Sequence, residues 1–444
     1  IPTRKNFRFD GWDLGETKLT DADGVLTVWD KLQGATITAH WTNNAKVEGA
    51  SLEINEAGDI YALARILAGG DDSADFERFG LTASEGNRTL LQNASYVLKA
   101  NINLDDQDES FYGIPNFKGT FDGQNQTITA NFVLRDTWIT TTRFGCLFAS
   151  LDGGTVKNVN FTGSLAGEVT ATAGLQDVAV VAGYTQNGAT IQDVTSDVTM
   201  DLKFSTTSVS TCVYVGTFAG RASGGTDKLV NCVNIADLTA TFTGFTANSG
   251  CRLGGLVGHA YSGVTFDKCK NNGDIDSSAS DTKTLTGGMI GSGASNCFTD
   301  CELSGDVKGN GVYAVGSYNS MSANSTGNVM LVTVSGTADQ TIAYSGDASQ
   351  TVTLTDANTT ATFRIPVEKE NGVIENNAFA YAQYLTVNGK RLDWFSVDNM
   401  NLTLKLNSGN AANLEVPFQT ESNALVLTTE ADLLNLQKAL SSGD

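Results

Sequence analysis

The sequence predicts an all-β protein built as a right-handed parallel β-helix, a solenoid, and three observations carry that prediction. The first is a repeat. Segments closing on a hydrophobic-glycine step recur as VAVVAGYTQNGATIQDVTSDV, VGTFAGRASGGTDKLVNCVNIADL, LGGLVGHAYSGVTFDKCKNNGDI and TGGMIGSGASNCFTDCELSGDV, and their closing glycines, Gly183, Gly220, Gly258 and Gly291, are spaced 37, 38 and 33 residues apart. The second is a landmark on the same beat: Val159, Val194, Cys232, Cys269 and Cys301 follow one another at 35, 38, 37 and 32. The third is composition, with 47 Gly against 4 Pro and few amphipathic helical patterns. Short strands joined by tight turns suit that mixture. Each coil of such an array leaves its apolar side chains uncovered until the next coil stacks on it, which is the physical reason for the repetition.

Within a coil, Gly255 and Gly288 join the closing glycines where neighbouring backbones must approach and a β-carbon would clash. Asn-Gly, Ser-Gly and Gly-Asp steps mark the corners. Stacking places equivalent residues about 4.8 Å apart, so Cys232, Cys269 and Cys301 form an internal ladder with the valines. A bond between adjacent rungs is strained in that geometry, and free structural thiols are expected. Zinc needs four converging ligands, and the chain offers only His40 and His259 as imidazoles beside seven cysteines, none in a Cys-x-x-Cys pair. Beyond the array, TVTLTDANTTATFRIPVE and LTLKLNSG alternate, which suggests further coils or a small antiparallel unit across 337–422. The last stretch, NALVLTTEADLLNLQKALSSGD, parallels SLEINEAGDIYALARILAGGD at 51–71 and reads as a short terminal helix packing on the C-terminal region, with the start of a second solenoid as the alternative.

The segment Gly255-Leu256-Val257-Gly258, with variants Thr217-Phe218-Ala219-Gly220 and Gly288-Met289-Ile290-Gly291, resembles the GLUG repeat group of bacterial surface proteins. FKGTFDGQNQTI is similar to that group's early strands, and INEAGDIYALARILAGG to the short helix that opens its solenoids, so the resemblance covers roughly residues 50–335. A second resemblance covers the start. Pro2, Thr3, Phe7, Phe9, Gly11, Trp12, Ala39 and Trp41 fall as in the C-terminal half of an internalin-type B-repeat, the Listeria–Bacteroides repeat. Together these imply three parts: a B-repeat-like β module over 1–44, a capping helix and β-solenoid over 45–336, and a β-rich C-terminal region over 337–444 ending in a short helix. Both groups belong to the bacterial cell envelope, and the resemblance implies adhesion or scaffolding without supplying a catalytic motif.

Candidate chemistry is sparse. A polysaccharide lyase or hydrolase of this shape needs carboxylates converging from successive coils. The coil equivalents Asp193, Asn231, Lys268 and Asp300, and then Asp197, Asp237, Asp274 and Asp306, recur once per coil. That regularity favours turn residues bonding their own backbone. Arg221 and Arg252 fall on neighbouring coils, exposed and without a carboxylate partner legible in the sequence. His259 lacks a serine or cysteine at a recognisable motif. Asp105, Asp106 and Asp108 are weak Ca²⁺ candidates, as are 71–75 and 21–24, but calcium asks for six to eight oxygens and solvated loops are the plainer reading. Trp12 and Trp41 read as packing residues, Trp29 is ambiguous, and Trp138 is the carbohydrate-contact candidate.

The balance of 28 Lys+Arg against 49 Asp+Glu, a net charge of −21, repels nucleic acid and anionic lipid. No run of 18 apolar residues offers membrane insertion by this segment. Ile1 is not an initiator methionine and no signal-peptide pattern precedes it, so the chain reads as a mature or trimmed fragment whose address, anchor and further domains lie outside it. The expected function is noncatalytic: an extracellular or cell-surface adhesin or binding scaffold for a host or extracellular glycan or protein polymer, needing no cofactor beyond a structural Ca²⁺ at most. The alternatives are a polysaccharide-binding or polysaccharide-cleaving β-helix enzyme, and a structural spacer.

Overall fold

A computed structural model describes residues 2–19, 32, 34–105, 111–134, 143–170, 177–206, 213–245, 251–281, 284–305 and 307–309, then 312–313, 322, 324–336 and separate strands up to Ala424–Val426. At the start, Phe7–Leu14 pairs antiparallel with Thr17–Lys18 and Thr38–Asn43. The Phe9 ring meets Trp12 and Trp41 edge-on at 5.3 and 5.2 Å, so both tryptophans are packing residues. Trp29 lies outside the described residues. Two asparagines pin this small sheet to the next segment of the chain: Glu53 N–H donates to Asn6 Oδ1 at 2.6 Å, and Asn43 Nδ2 donates to the Phe79 carbonyl at 2.7 Å.

The parallel ladder opens with a strand rather than a helix. Ser51–Ile54 pairs with Ser95–Leu98, which pairs with Thr120–Asp122. Three helices, α1 (Ala57–Leu67), α2 (Ser73–Glu77) and α3 (Glu85–Asn93), lie between those first two strands in the chain. The short helix expected over 54–70 is present as α1, and it follows the strand Ser51–Ile54 in the chain. Ile60, Leu63, Ile66 and Leu67 put an apolar stripe of α1 into the core, following the three- and four-residue spacing of a helix face. The acidic run 71–75 is consumed locally: Asp71 pairs with Arg88, Asp72 caps α2 through the Ala74 N–H, and Asp75 takes Arg65 bidentately at 2.6 and 2.8 Å.

Five coils come next. Each enters through a short strand, turns through a two-residue arc into a second strand, and then runs along a long third side. The entering strands Arg143–Gly145, Asp177–Ala179, Tyr214–Gly216, Cys251–Gly254 and Thr284–Gly287 form one parallel sheet, and Phe148–Asp152, Ala182–Gln186, Ala219–Ala222, Val257–Ala260 and Ile290–Gly293 form the next. Leu147, Val180, Val181, Phe218, Leu256 and Met289, at the arcs, are buried in the core. The predicted parallel solenoid is thus the observed architecture. Past the fifth coil Val312–Tyr313 adds a further parallel strand to the entering sheet, whereas on the long side Val329–Gly336 continues parallel to Glu302–Leu303 but pairs antiparallel with Thr359–Pro366. The helix read at 423–444 lies outside the described residues apart from the strand Ala424–Val426.

The corners are built from left-handed residues. Asn158, Asp193, Asn231, Lys268 and Asp300 have φ of 53°, 52°, 49°, 52° and 51°, a conformation that Asn and Asp tolerate and that costs a lysine roughly 1 kcal/mol. Their side chains bond across coils as well. Asn158 Nδ2 donates to Asp122 Oδ1 at 3.0 Å, and Asn231 Nδ2 to Asp193 Oδ1 at 2.8 Å. The second aspartate row is only partly a row. Asp237 and Asp274 precede paired residues Leu238 and Ile275, and the Asp274 N–H donates to Asp237 Oδ1 at 2.9 Å. Asp197 is out of register, since it pairs with Thr162 while Met200 is the partner of Leu238; Thr199 holds its level. Asp306 lies outside the described residues.

Val159 pairs with Val194, and Cys232, Cys269 and Cys301 continue that column, each at most 1% exposed. Cys146, Cys232, Cys251, Cys269, Cys297 and Cys301 are all free thiols. Burial pushes the Cys146, Cys269 and Cys301 thiols up, away from the reactive thiolate. Cys297 alone of these six is partly exposed. Brief treatment of the folded chain with a maleimide, read by peptide mass spectrometry, is expected to label Cys297 and spare the other five. Labelling of Cys232 or Cys269 in native buffer would contradict this packing.

Candidate binding face

The two sheets that meet at the arcs carry two columns of chemistry-bearing side chains. On the entering strands, Arg143, Asp177, Tyr214 and Arg252 are successive partners. Just past the arcs, Tyr184, Arg221, His259 and Ser292 are successive partners. The arcs hold these columns side by side because glycine lines their inner surfaces. A β-carbon on Gly220 would stand 2.5 Å from the Val178 nitrogen, and one on Gly258 would stand 2.6 Å from both the Gly220 oxygen and the Val215 nitrogen. Gly255 has the same constraint at the arc itself, 2.1 Å from the Gly288 oxygen. The repeat glycines therefore set the distance across which the columns interact.

Asp177 is the centre. Its side chain is wholly buried, and Arg221 Nη2 donates to its Oδ2 at 2.7 Å while Arg143 Nε stands 3.9 Å away. Arg221 is corrected accordingly: it is mostly buried and has a carboxylate partner from the preceding coil. Burial pushes the Asp177 carboxyl up to about 6 even though Arg221 and Arg143 pull it down. Desolvating an ion pair this deeply is expensive, and Asp177 Oδ1, Arg143 Nε and Arg221 Nε make no hydrogen bond.

Aromatic rings interleave with the cations. The Arg143 guanidinium sits 3.7 Å over the Tyr184 ring, Arg221 lies 5.0 Å from Tyr184 and 5.3 Å from Tyr214, and Arg252 is 5.7 Å from Tyr214. Such contacts strengthen when desolvated. His259 stacks on Tyr214 at 5.4 Å and meets Tyr261 edge-on at 4.8 Å. Its Nδ1 is 2.7 Å from Ser292 Oγ, so His259 does have a serine partner, supplied by the next coil. Burial, then the charges of Arg252 and Arg221, lower its pKa to about 4. An imidazole held that far down is a weak base at neutral pH.

Of the residues singled out by sequence, Arg221, Arg252 and His259 are brought together here. Trp138, Asp106 and Asp108 lie outside the described residues, as does 21–24. Asp105 is tied by its backbone, its N–H donating to Tyr61 Oη at 3.2 Å and its carbonyl accepting from the same hydroxyl at 3.0 Å. Among the described residues, no three His, Cys, Asp or Glu side chains converge as a metal cage. A cleft of about 320 Å³ between α1 and Phe111–Gly113 is lined by Tyr61, Ala64, Arg65 and Tyr112, and its arginine is already held by Asp75.

Sequence reasoning missed Arg143, Asp177, Tyr184 and Tyr214. A signal was present. Counting from each closing glycine, the position six before reads Asp177, Tyr214, Arg252, and the position one after reads Tyr184, Arg221, His259, Ser292. These polar and aromatic residues interrupt otherwise apolar strands.

No family model matches this sequence, and no curated protein matches it. Among solved structures, it is similar to the crystal structure of a protein from Bacteroides ovatus provisionally named an immunoglobulin A1 protease, at 16% identity and a TM-score of 0.37, over 59% of this chain and 77% of that one. It is also similar to a structure named IgA1 protease, at 15% identity and a TM-score of 0.36, over 72% of this chain and 24% of that one. Among the described residues no helix is long and apolar enough to cross a membrane.

Proposed function

We propose that this chain is a noncatalytic binding scaffold of the bacterial surface or secreted space, an adhesin that holds a host or extracellular polymer along the side of a solenoid. The observation that carries the reading is the double column of Arg143, Arg221, Arg252, Tyr184, Tyr214 and His259 across four adjacent coils. A spacer has no use for such a face, because burying Asp177 among cations costs stability that an apolar column would not. The motif resemblance to GLUG-repeat and B-repeat envelope proteins supports the same assignment, with a B-repeat-like module over 1–44, the solenoid over 45–336 and a β-rich region over 337–444. Catalysis is the weaker reading, since the His259–Ser292 pair offers a base held neutral far below physiological pH and no carboxylate orients the ring in that contact.

Affinity electrophoresis against acidic and neutral polysaccharides tests the reading, with the same mixtures assayed for new reducing ends and unsaturated products. Retardation without product is expected. Product formation would replace the scaffold by an enzyme, and absence of both would leave a spacer or a protein ligand.

A further inference from the structure

The chemistry of the ligand, which rests on the scaffold reading, is written into the patch. Two of the chain's 28 basic residues, Arg143 and Arg221, gather around the Asp177 carboxylate, and a third, Arg252, stands over Tyr214 two coils on, all on a molecule of net charge −21. The patch is thus a local cationic island, and its field selects an anion. Arg143 keeps 32% of its side chain exposed and Arg221 keeps 19%. Their planar guanidinium groups are forks that match a carboxylate bidentately.

The spread of the cations argues for a polymer. Arg143, Arg221 and Arg252 stand on the first, third and fourth coils, so at one strand spacing per coil they extend over about 14 Å along the stack. A single small anion reaches one or two of them. A chain carrying a charge on each unit reaches all three.

The surroundings argue for sugar rather than peptide or nucleic acid. Tyr261 is 47% exposed beside His259 and presents a flat apolar ring with a polar tip at one end of the patch. A peptide bound by strand addition needs a free sheet edge, and here the entering strands of the second, third and fourth coils are paired on both sides. Duplex DNA carries one charge per about 1.7 Å, a density that the chain's net charge of −21 repels more strongly than the single charge per sugar ring of a polyuronate.

We propose that Arg143, Arg221 and Arg252 seat the carboxylates of a uronic-acid polysaccharide laid along the coil stack, with Tyr261 stacking on a sugar ring. Substrate cleavage is no part of this; the face holds the polymer.

The test uses the full chain and polygalacturonate, compared with the fully methyl-esterified polymer of the same backbone and with a neutral glucan. Binding is followed by titration calorimetry and affinity electrophoresis. Polygalacturonate is expected to bind, to weaken as salt is raised, and to lose about tenfold or more in affinity in the double variant R143Q/R252Q, tenfold being 1.4 kcal/mol. Arg221 stays in place there because it compensates Asp177. Y261A, at an exposed position, supplies a second variant whose folding is not in question, with a several-fold loss expected. Thermal melting of each variant separates lost binding from lost fold. Equal binding of the esterified polymer, or full affinity in both variants, would overturn the carboxylate assignment while leaving the scaffold standing. Failure to bind any polysaccharide would remove the scaffold's glycan ligand and this inference with it.

Discussion

Replacing Gly258 by alanine is expected to destabilise the protein by more than about 3 kcal/mol, the range of severe overpacking. The added carbon would lie 2.6 Å from the Gly220 oxygen, 2.6 Å from the Val215 nitrogen and 2.8 Å from the Tyr214 carbonyl carbon. All three are main-chain atoms held in parallel ladders, so none can swing aside as a side chain would. Relief requires the third and fourth coils to part across the arc. Because each coil contacts chiefly its neighbours, that opening would also remove the platform on which the next coil stacks. Gly86→Ala is the control: nothing lies within 4 Å of its β-carbon in the first turn of α3, and the expected effect is neutral to about 0.5 kcal/mol stabilising. Urea unfolding midpoints decide the matter. A Gly258→Ala protein within about 0.5 kcal/mol of the parent would mean the arcs are not packed backbone against backbone.

The second large effect is hidden in the parent protein and appears only in variants. Asp177 titrates at about 6 when folded against a usual 3.8. The folded state therefore holds the proton more tightly, and this group contributes stability that is fully present below about pH 3.8 and lost as pH rises through 6. His259 titrates at about 4 when folded against a usual 6.5, so its contribution has the opposite sign: stability is present above pH 6.5 and lost as pH falls towards 4. At 1.36 kcal/mol per unit, each amounts to about 3 kcal/mol, less for the imidazole because part of it meets solvent. The two nearly cancel across pH 4–6.

Removing either group should expose the other. D177N is expected to lose stability on acidification from pH 6.5 to 4.5 relative to the parent, and H259Q to gain it over the same interval. Chemical denaturation at pH 4.5, 5.5 and 7 measures this, and carboxylates elsewhere contribute equally to all three proteins. Stability curves for D177N and the parent that run parallel would show Asp177 to be ionised throughout that range.

The repeat was legible because stacking forces periodicity onto the sequence. Val194, Cys232, Cys269 and Cys301 had to recur if each was to lie over the last, and the glycines had to recur wherever backbones met. Helix placement was less legible: the 54–70 pattern announced α1, but the strand Ser51–Ile54 ahead of it is only four residues long and alternates too briefly to stand out. The aspartate row failed at Asp197 because the two coils pair at a constant offset of 38 residues, from Thr190–Lys228 to Met200–Leu238, so Asp237 stands level with Thr199. The 40-residue spacing from Asp197 to Asp237 hides that until the register is known. The binding face was the least legible. Asp177 and Arg221 are 44 residues apart, and nothing in either segment says that they face one another until the coils are aligned on their closing glycines.

The reversal after the fifth coil has a consequence for assembly. A stack of like coils has no built-in length, and its last parallel strand is a template for another chain. Here Val329–Gly336 lies on the final coil and then takes Thr359–Pro366 in the opposite direction. An incoming coil needs a parallel acceptor at that edge and meets a filled antiparallel one. That sheet is thereby closed to a further coil by strand reversal. Among the described residues the other two sheets end in the parallel strands Ile290–Gly293 and Val312–Tyr313, so the chain guards this end along one side of the stack.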